Sequence, residues 1–331
     1  TFAEMERGYD VLFRQLLPKM VERLDSTRFY MHSSPYEANW GRPESWKIAD
    51  SHNWGTWHGR KPFESFDSSI PRFMSEYGFQ AFPEMKTIRM FAEEKDFELE
   101  SPVMNAHQKA TIGNALIKQT MGLYYKVPAR FEDLVYMGLV LQGQGMRHGM
   151  EAHRRNRPYC MGSLFWQLND SWPVVSWSAI DYYGNWKALM YQSKRAFAPI
   201  LINAIREDND LCVYLISDEL HDRDDVSMTV ELMDFDGKTH GRWTCNGRLT
   251  ANSSLLFMKK PVGEWLGKQD AASSLLHLTL KAKNGATLAD NVYYFAYPKE
   301  QKLPEAHIET SLRRRGDSVE MTLKTDKLAR D

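Results

Sequence analysis

Cysteine is scarce: Cys160, Cys212 and Cys245 are the only three in 331 residues, far apart and odd in number. Such usage suggests neither a disulfide framework nor a Cys-x-x-Cys metal site. Long apolar runs are absent too, none approaching the roughly 18 residues of a membrane helix. Neither sign of charge dominates, with 42 Lys and Arg against 43 Asp and Glu for a formal net charge of −1. The only basic clusters, His153-Arg154-Arg155-Asn156-Arg157 and Arg313-Arg314-Arg315, fall short of the basic face that nucleic-acid binding requires. No repeat or low-complexity tract is evident. The first residues, TFAEMERGYD, contain no initiator Met and no basic-then-apolar leader, and they read as the middle of a larger polypeptide. The missing leader therefore says nothing about compartment.

What the chain has in quantity is aromatic side chains. Of ten Trp, eight (40, 46, 54, 57, 166, 172, 177 and 186) precede residue 190. Indole rings stack on the C–H face of a sugar and equally fill cores, so the enrichment raises a carbohydrate hypothesis without deciding it.

A length of 331 residues exceeds what one core usually serves, and the patterning changes character near Pro199. Before it, the spacing of apolar residues predicts an amphipathic helix over 4–24 broken at Pro18, and strands at 28–34, near 50–54 and over 70–78. Two helices follow over 105–125 and 129–155, then an apolar strand at 159–168 expected to be buried on both faces, and a last helix over 185–197. Gly138, Gly143, Gly145 and Gly149 suit the second of those helices only if they allow close packing. This order predicts a parallel sheet with helical cover, hence an α/β domain over 1–198. Residues 199–300 hold about seven short β-rich runs, with Asp236-Gly237 and Asn284-Gly285 as hairpin signals, and predict an antiparallel all-β sandwich. Residues 301–331 begin a further alternating hairpin, the opening of another sandwich or a linker.

In a (β/α) barrel, side chains at the carboxyl ends of the strands converge on one mouth. Three strand ends carry suitable groups: His52 with Trp54, Glu76 with Tyr77, and Trp166 through Asp170. A carboxylate beside aromatic rings and a hydroxyl is what a glycosidase nucleophile needs, because the oxocarbenium-like transition state develops positive charge next to it. From the residues alone, Glu76 equally suits a structural pair with Arg72 or Lys86.

The stretches MSEYGFQAFPEM, LFWQLNDSWPVVSWSAIDYYGNWKALMY and DSHNWGTWHG together resemble the β-mannosidases of glycoside hydrolase family 2. The resemblance spans most of residues 1–200, and the order of barrel then sandwich agrees. It implies the C-terminal half of a (β/α)8 TIM barrel followed by an immunoglobulin-like β-sandwich, in a retaining exo-enzyme that acts on terminal β-mannose without a cofactor. By position, Glu76 matches the nucleophile at the end of the seventh barrel strand, and Trp166 the ring that floors the subsite for the terminal sugar. Asn169 and Asp170 would bond sugar hydroxyls or tie down their loop. His52, Trp54, Trp57 and His58 sit on the loop expected to face the pocket; Tyr77 accompanies Glu76, and Trp40 is a candidate for an outer subsite. Metal binding is not expected, since the spacing of the two His matches no helical ligand pair. The partners implied are β-mannoside oligosaccharides or glycans, with neither nucleic acid nor membrane, in a periplasmic, extracellular or lysosomal setting. The same chemistry serves β-galactosidases, β-glucuronidases and exo-β-glucosaminidases; a protein that merely binds glycan would also be rich in Trp.

One part of the pattern is missing. A retaining glycosidase needs a second carboxylate about 5–5.5 Å from the first. In this family it follows an Asn, and no Asn-Glu pair occurs in the 331 residues. The expectation is that the segment starts downstream of the acid/base, holds only the second half of the barrel, and is inactive until the missing N-terminal half pairs its open sheet edges.

Overall fold

The computed structural model describes residues 1–36 and 46–331. Its first part is built on two short parallel strands, β1 (Asp50–Asn53) and β2 (Phe73–Tyr77), with His52 opposite Glu76. A third segment runs parallel to β2: Met74 donates to Gly162 O at 2.9 Å, Leu164 to Met74 O at 2.8 Å and Trp166 to Tyr77 O at 2.8 Å. The carboxyl ends of all three thus share one edge.

The helices are α1 (Phe2–Tyr9), α2 (Leu17–Leu24), α3 (Met85–Ile88), α4 (Pro102–Ala106), α5 (Gly113–Tyr124), α6 (Phe131–Arg155), α7 (Ala188–Ala196) and α8 (Val262–Leu266). Between α1 and α2 the chain widens into a π-helical stretch over Asp10–Leu16. Pro18 lies in the first turn of α2 and has no N–H to return to the preceding turn, but the expected break there does not occur: the π-helical stretch passes directly into α2 and the backbone stays helical from Phe2 to Leu24. No residue of α1 or α2 is buried.

The core packs α5, α6 and α7 against the strands through Met74, Tyr77, Phe79, Phe82, Leu116, Ile117, Met121, Leu141, Met146 and Met150. The glycines of α6 are part of that packing. A Cβ at Gly145 would lie 2.2 Å from the Phe63 ring, so only glycine lets the helix lie against the 3-10 turn at Phe63–Ser68.

Two other expectations fail. Residues 28–34 form no strand; the segment is held by side chains instead, with Tyr9 Oη donating to His32 O (2.9 Å) and Ser34 Oγ to Asp50 Oδ2 (2.7 Å). The 159–168 run is apolar at nearly every position but not buried on both faces, since Leu164, Trp166 and Leu168 are exposed. It bonds to β2 on one side and bares alternate side chains among the described residues.

From Ile200 the chain is antiparallel. Strands β3 (Ile200–Glu207), β4 (Asp210–Ser217) and β7 (Ser253–Pro261) form one sheet in the order β3-β4-β7. Strands β5 (Arg223–Asp234), β6 (Thr239–Leu249), β8 (Ser274–Lys281) and β9 (Thr287–Tyr294) form the other, ordered β6-β5-β8-β9. Alternate residues of both, among them Leu211, Val213, Leu215, Met228, Val230, Leu232, Leu276, Leu278 and Leu280, meet in the core. Cys212 and Cys245 are free thiols. Trp243 and Trp265 pack edge to face there, 4.8 Å between centroids, with Trp265 donating to Leu211 O. The two hairpin signals hold: Gly237 and Gly285 take φ of +88° and +84°, a region that side chains with a Cβ disfavour. Strands β10 (Ile308–Arg315) and β11 (Ser318–Thr325) pair only with each other among the described residues and are exposed throughout.

Candidate active site

Glu76 is neither paired with a lysine nor turned out to solvent. Lys86 bonds Glu84 (2.8 Å), and Arg72 lies over the Tyr159 ring. The Glu76 side chain retains 19% of its exposure, and its Oε2 meets two neighbours: the indole N–H of Trp54, which donates at 2.9 Å, and His52 Nδ1 at 3.0 Å. The parallel register sets both contacts, because it puts His52 directly across from Glu76 and Trp54 one residue past the end of β1. Both fall on the same oxygen, and Oε1 has no partner among the described residues. The far nitrogen of His52 lies 3.2 Å from Ser34 Oγ.

Behind this pair stands a group that the sequence pattern does not single out. The Asp50 carboxylate accepts from Ser34 Oγ (2.7 Å), Ser75 Oγ (2.6 Å) and Tyr36 N (2.8 Å). It fastens β1 to β2 and to the 33–36 segment at the point where His52 and Glu76 emerge. An acidic residue opening DSHNW is visible in the sequence, but its partners are scattered over forty residues, and no local pattern joins them.

The Trp rings pack as a wall beside Glu76. Trp54 lies edge-on to Trp177 (5.9 Å) and near the His58 ring (5.5 Å). Trp166 is 44% exposed, bonded through its backbone to Tyr77 on the neighbouring strand. Gly78 is the hinge of the wall: a Cβ there would meet Trp166 O at 2.4 Å, Trp177 Cδ1 at 3.0 Å and Trp54 Cη2 at 3.2 Å. Asn169 is exposed beyond Trp166.

Three of the expected sugar-facing residues lie in the interior. Trp57 is fully buried, edge-on to Phe79 and Trp177. Tyr77 follows Glu76 on a strand, so it points to the opposite face; its hydroxyl is 2.8 Å from Ser163 Oγ, its ring abuts His153, and burial pushes its phenol up. Asp170 is buried and its oxygens are taken by Lys109 Nζ (3.0 Å), Ser176 Oγ (2.6 Å) and Gln167 Nε2 (3.2 Å), which makes it the tie of its loop. Trp40 lies outside the described residues.

Lys187 fastens the same loops from beneath. Its Nζ donates to Ala81 O (3.0 Å) and Ser176 O (3.3 Å), and burial brings its pKa down to about 7 although Asp170 and Asp181 oppose the shift. A neutral amine has two N–H groups, enough for those two carbonyls. The unfolded chain holds this proton up to the ordinary 10.5, so between about pH 7 and 10.5 it binds more protons than the folded one, and stability rises with pH across that window. Lys187→Met is expected to flatten the difference, removing a slope of up to about 1.4 kcal/mol per pH unit. Urea unfolding of both proteins from pH 6 to 10 checks it, and parallel curves would refute it.

The Mannosidase Ig/CBM-like domain family matches residues 209–300. The β-mannosidase B of Aspergillus terreus is 34% identical over 210 residues, a stretch that takes in 61% of this chain and 24% of that protein. That of Aspergillus niger is 34% identical over 207 residues, 60% and 24% of the respective chains. The crystal structure of the β-D-mannosidase from Dictyoglomus thermophilum superimposes with a TM-score of 0.88 at 31% identity, covering 97% of this chain and 39% of that one. The exo-chitosanase CsxA of Amycolatopsis orientalis shares the fold, with a TM-score of 0.66 at 17% identity. The chain thus spans about a quarter of the length of the curated relatives it matches.

Parallel strand ends that carry a carboxylate among indoles, continued by an antiparallel sandwich, are what this chain has in common with the glycoside hydrolases it matches. More narrowly, in sequence and in fold it is the counterpart of the C-terminal region of glycoside hydrolase family 2 β-mannosidases: the second half of the barrel and the immunoglobulin-like domain after it. No helix among the described residues is long and apolar enough to cross a membrane.

Proposed function

We propose that the protein is a retaining exo-β-mannosidase that releases terminal non-reducing β-D-mannose, with Glu76 as nucleophile. The observation that carries this reading is the division of labour on the Glu76 carboxylate: Trp54 and His52 hold Oε2, while Oε1 is left to attack. In the first step Oε1 bonds to C1 of the terminal sugar as the C1–O bond to the aglycone breaks. The leaving oxygen takes its proton from an acid outside these 331 residues. In the second step water, deprotonated by the same group, attacks C1 and frees Glu76 with overall retention. Trp166 offers its exposed face to the apolar side of the ring, and Asn169 and His58 stand where sugar hydroxyls pass.

The roles on Oε2 are electrostatic. The donated N–H fixes the rotamer of the carboxylate, so the attacking oxygen needs no reorganisation. Trp54→Phe keeps most of the edge contact with Trp177 and removes only that donor. A hydrogen bond to a charged acceptor contributes about 1.5–3 kcal/mol, so kcat/KM is expected to fall about 10- to 100-fold. A change below twofold would show that the indole N–H has no part in the reaction.

A 2-deoxy-2-fluoro-mannosyl donor with a good leaving group tests the assignment in the protein with its barrel complete. The electron-poor sugar slows release of the ester more than its formation, so a covalent adduct accumulates. Peptide mass analysis is expected to find it on the Phe73–Tyr77 strand at Glu76; an adduct on another carboxylate overturns the reading. A panel of aryl β-glycosides separates mannose from galactose, glucuronic acid and glucosamine.

A further inference from the structure

Helix α6 has two faces of opposite kind. Toward the barrel it presents glycine: a Cβ at Gly149 would stand 3.1 Å from both the Phe66 and the Tyr77 ring. Glycine permits that closeness and at the same time weakens the helix. Two residues away, nearly opposite on the helix, runs a stripe at four-residue spacing, Arg147, Glu151 and Arg155. Arg147 Nε donates to Glu151 Oε1 (2.7 Å), and Arg155 reaches Asp67 (2.6 Å) in the 3-10 turn at Phe63–Ser68. Arg147 and Glu151 border a cleft of about 730 Å³ that separates α6 and α7 from β3 and β9.

Two asparagines of the sandwich bridge this cleft. Asn203, buried on β3, uses both ends of its amide: Nδ2 donates to Glu151 Oε2 at 2.7 Å, and Oδ1 accepts from Arg155 Nη1 at 2.8 Å. Asn291 on β9 accepts from Arg147 Nη2 (2.8 Å) and donates to Ile202 O on β3 (2.8 Å). Because β3 and β9 belong to different sheets, this one side chain links both sheets to the helix. All three charges of the stripe thus end on an amide from the sandwich. At the helix end, Arg154 and Arg157 share the Asp218 carboxylate just after β4, at 3.0 and 2.5 Å. Hydrogen bonds to buried charged groups are costly to leave unmade, whereas the glycines offer no side chain that could grip the helix from inside. The depth and rotation of α6 are therefore set from the sandwich, and since Gly149 lies on the Tyr77 ring, the same hold reaches β2.

We propose that Asn203 and Asn291 are positioning residues through which the sandwich fixes the middle of α6, and with it the strand that carries Glu76. The inference concerns the place of that strand and not its chemistry, so failure of this proposal or of the nucleophile assignment leaves the other standing. Hydrogen exchange read by mass spectrometry, on the protein with its barrel complete, is the test. In Asn203→Ala/Asn291→Ala, the amides of residues 141–151 and of β2 are expected to exchange about 100-fold faster together, while those of β5 and β8 stay within about threefold of the parent. The Asp218 tie is untouched, so the sandwich stays attached. Should that variant not fold, Asn291→Ala alone, which leaves Glu151 and Arg155 their partner, is expected to give about a 10-fold acceleration. Swapping amide and carboxylate separates a specific clamp from general loosening. Asn203→Asp sets two carboxylates against each other and should speed exchange; adding Glu151→Gln restores a donor between them and should return the rates to within about threefold of the parent. Unchanged exchange in α6 or in β2, equal acceleration of β5 and β8, or no recovery on the swap overturns the proposal.

Discussion

Glu76→Gln is expected to lower kcat on an aryl β-mannoside by about 10⁴-fold or more, with a much smaller change in KM. The amide has the shape of the acid, and its oxygen can still accept the N–H of Trp54, so the packing of Trp54 against Trp177 survives. What disappears is the nucleophile: an amide oxygen carries no formal charge with which to form the ester or balance the oxocarbenium-like transition state. A second variant separates this role from that of a proton donor. Glu76→Gly opens a gap on the face where the carboxylate stood, and azide entering it is expected to restore turnover and yield the α-glycosyl azide. Formation of the β-azide instead would make residue 76 the acid/base. Retention of activity within tenfold in the Gln variant would remove the carboxylate from the mechanism altogether.

Gly78→Ala is expected to cost about 100-fold in kcat/KM, although the new methyl group touches no substrate. Its Cβ would stand 2.4 Å from Trp166 O, and that oxygen is backbone, tied into the strand that bonds to Tyr77. Relief requires Trp166 to move by several tenths of an ångström or more, with the Trp54 and Trp177 rings following, and a shift of about 1 Å near a reacting centre is enough for a loss of that size. Overpacking should lower stability by about 1–3 kcal/mol as well. Gly263→Ala serves as the control, because a Cβ there meets nothing within 4 Å. Activity of Gly78→Ala within threefold of the parent, measured beside Trp fluorescence, would show that the wall is not so held.

Much of this was legible because the relevant information is local. Period-two alternation over β5 and β8 reads directly as two faces, and the Asp-Gly and Asn-Gly pairs sit where φ must be positive. The motif around Glu76 singled out a carboxylate whose surroundings fit its expected chemistry. Residues 28–34 misled because strand-like composition does not supply a ladder; there Tyr9, Ser34 and Asp50 hold the chain through side chains. Tyr77 and Trp57 lie in the interior for a related reason, whereas Asp170 ties down its loop, one of the two roles expected of it. Nearness in sequence to Glu76, Trp54 and Trp166 says nothing of direction, and on a strand the next residue faces the other way.

The sequence by itself determined the change of character near Pro199, the antiparallel pairing of the chain beyond it and the hairpin turns, since each depends on residue type and spacing within a few positions. Only the tertiary structure decided that Trp54 and His52 meet one oxygen of Glu76, that Asp50 binds three segments together, and that Arg154 and Arg157 share a single carboxylate. Those facts join residues tens of positions apart, and they come within about 3 Å of one another through the pairing and packing of whole elements, which no short stretch of chain encodes.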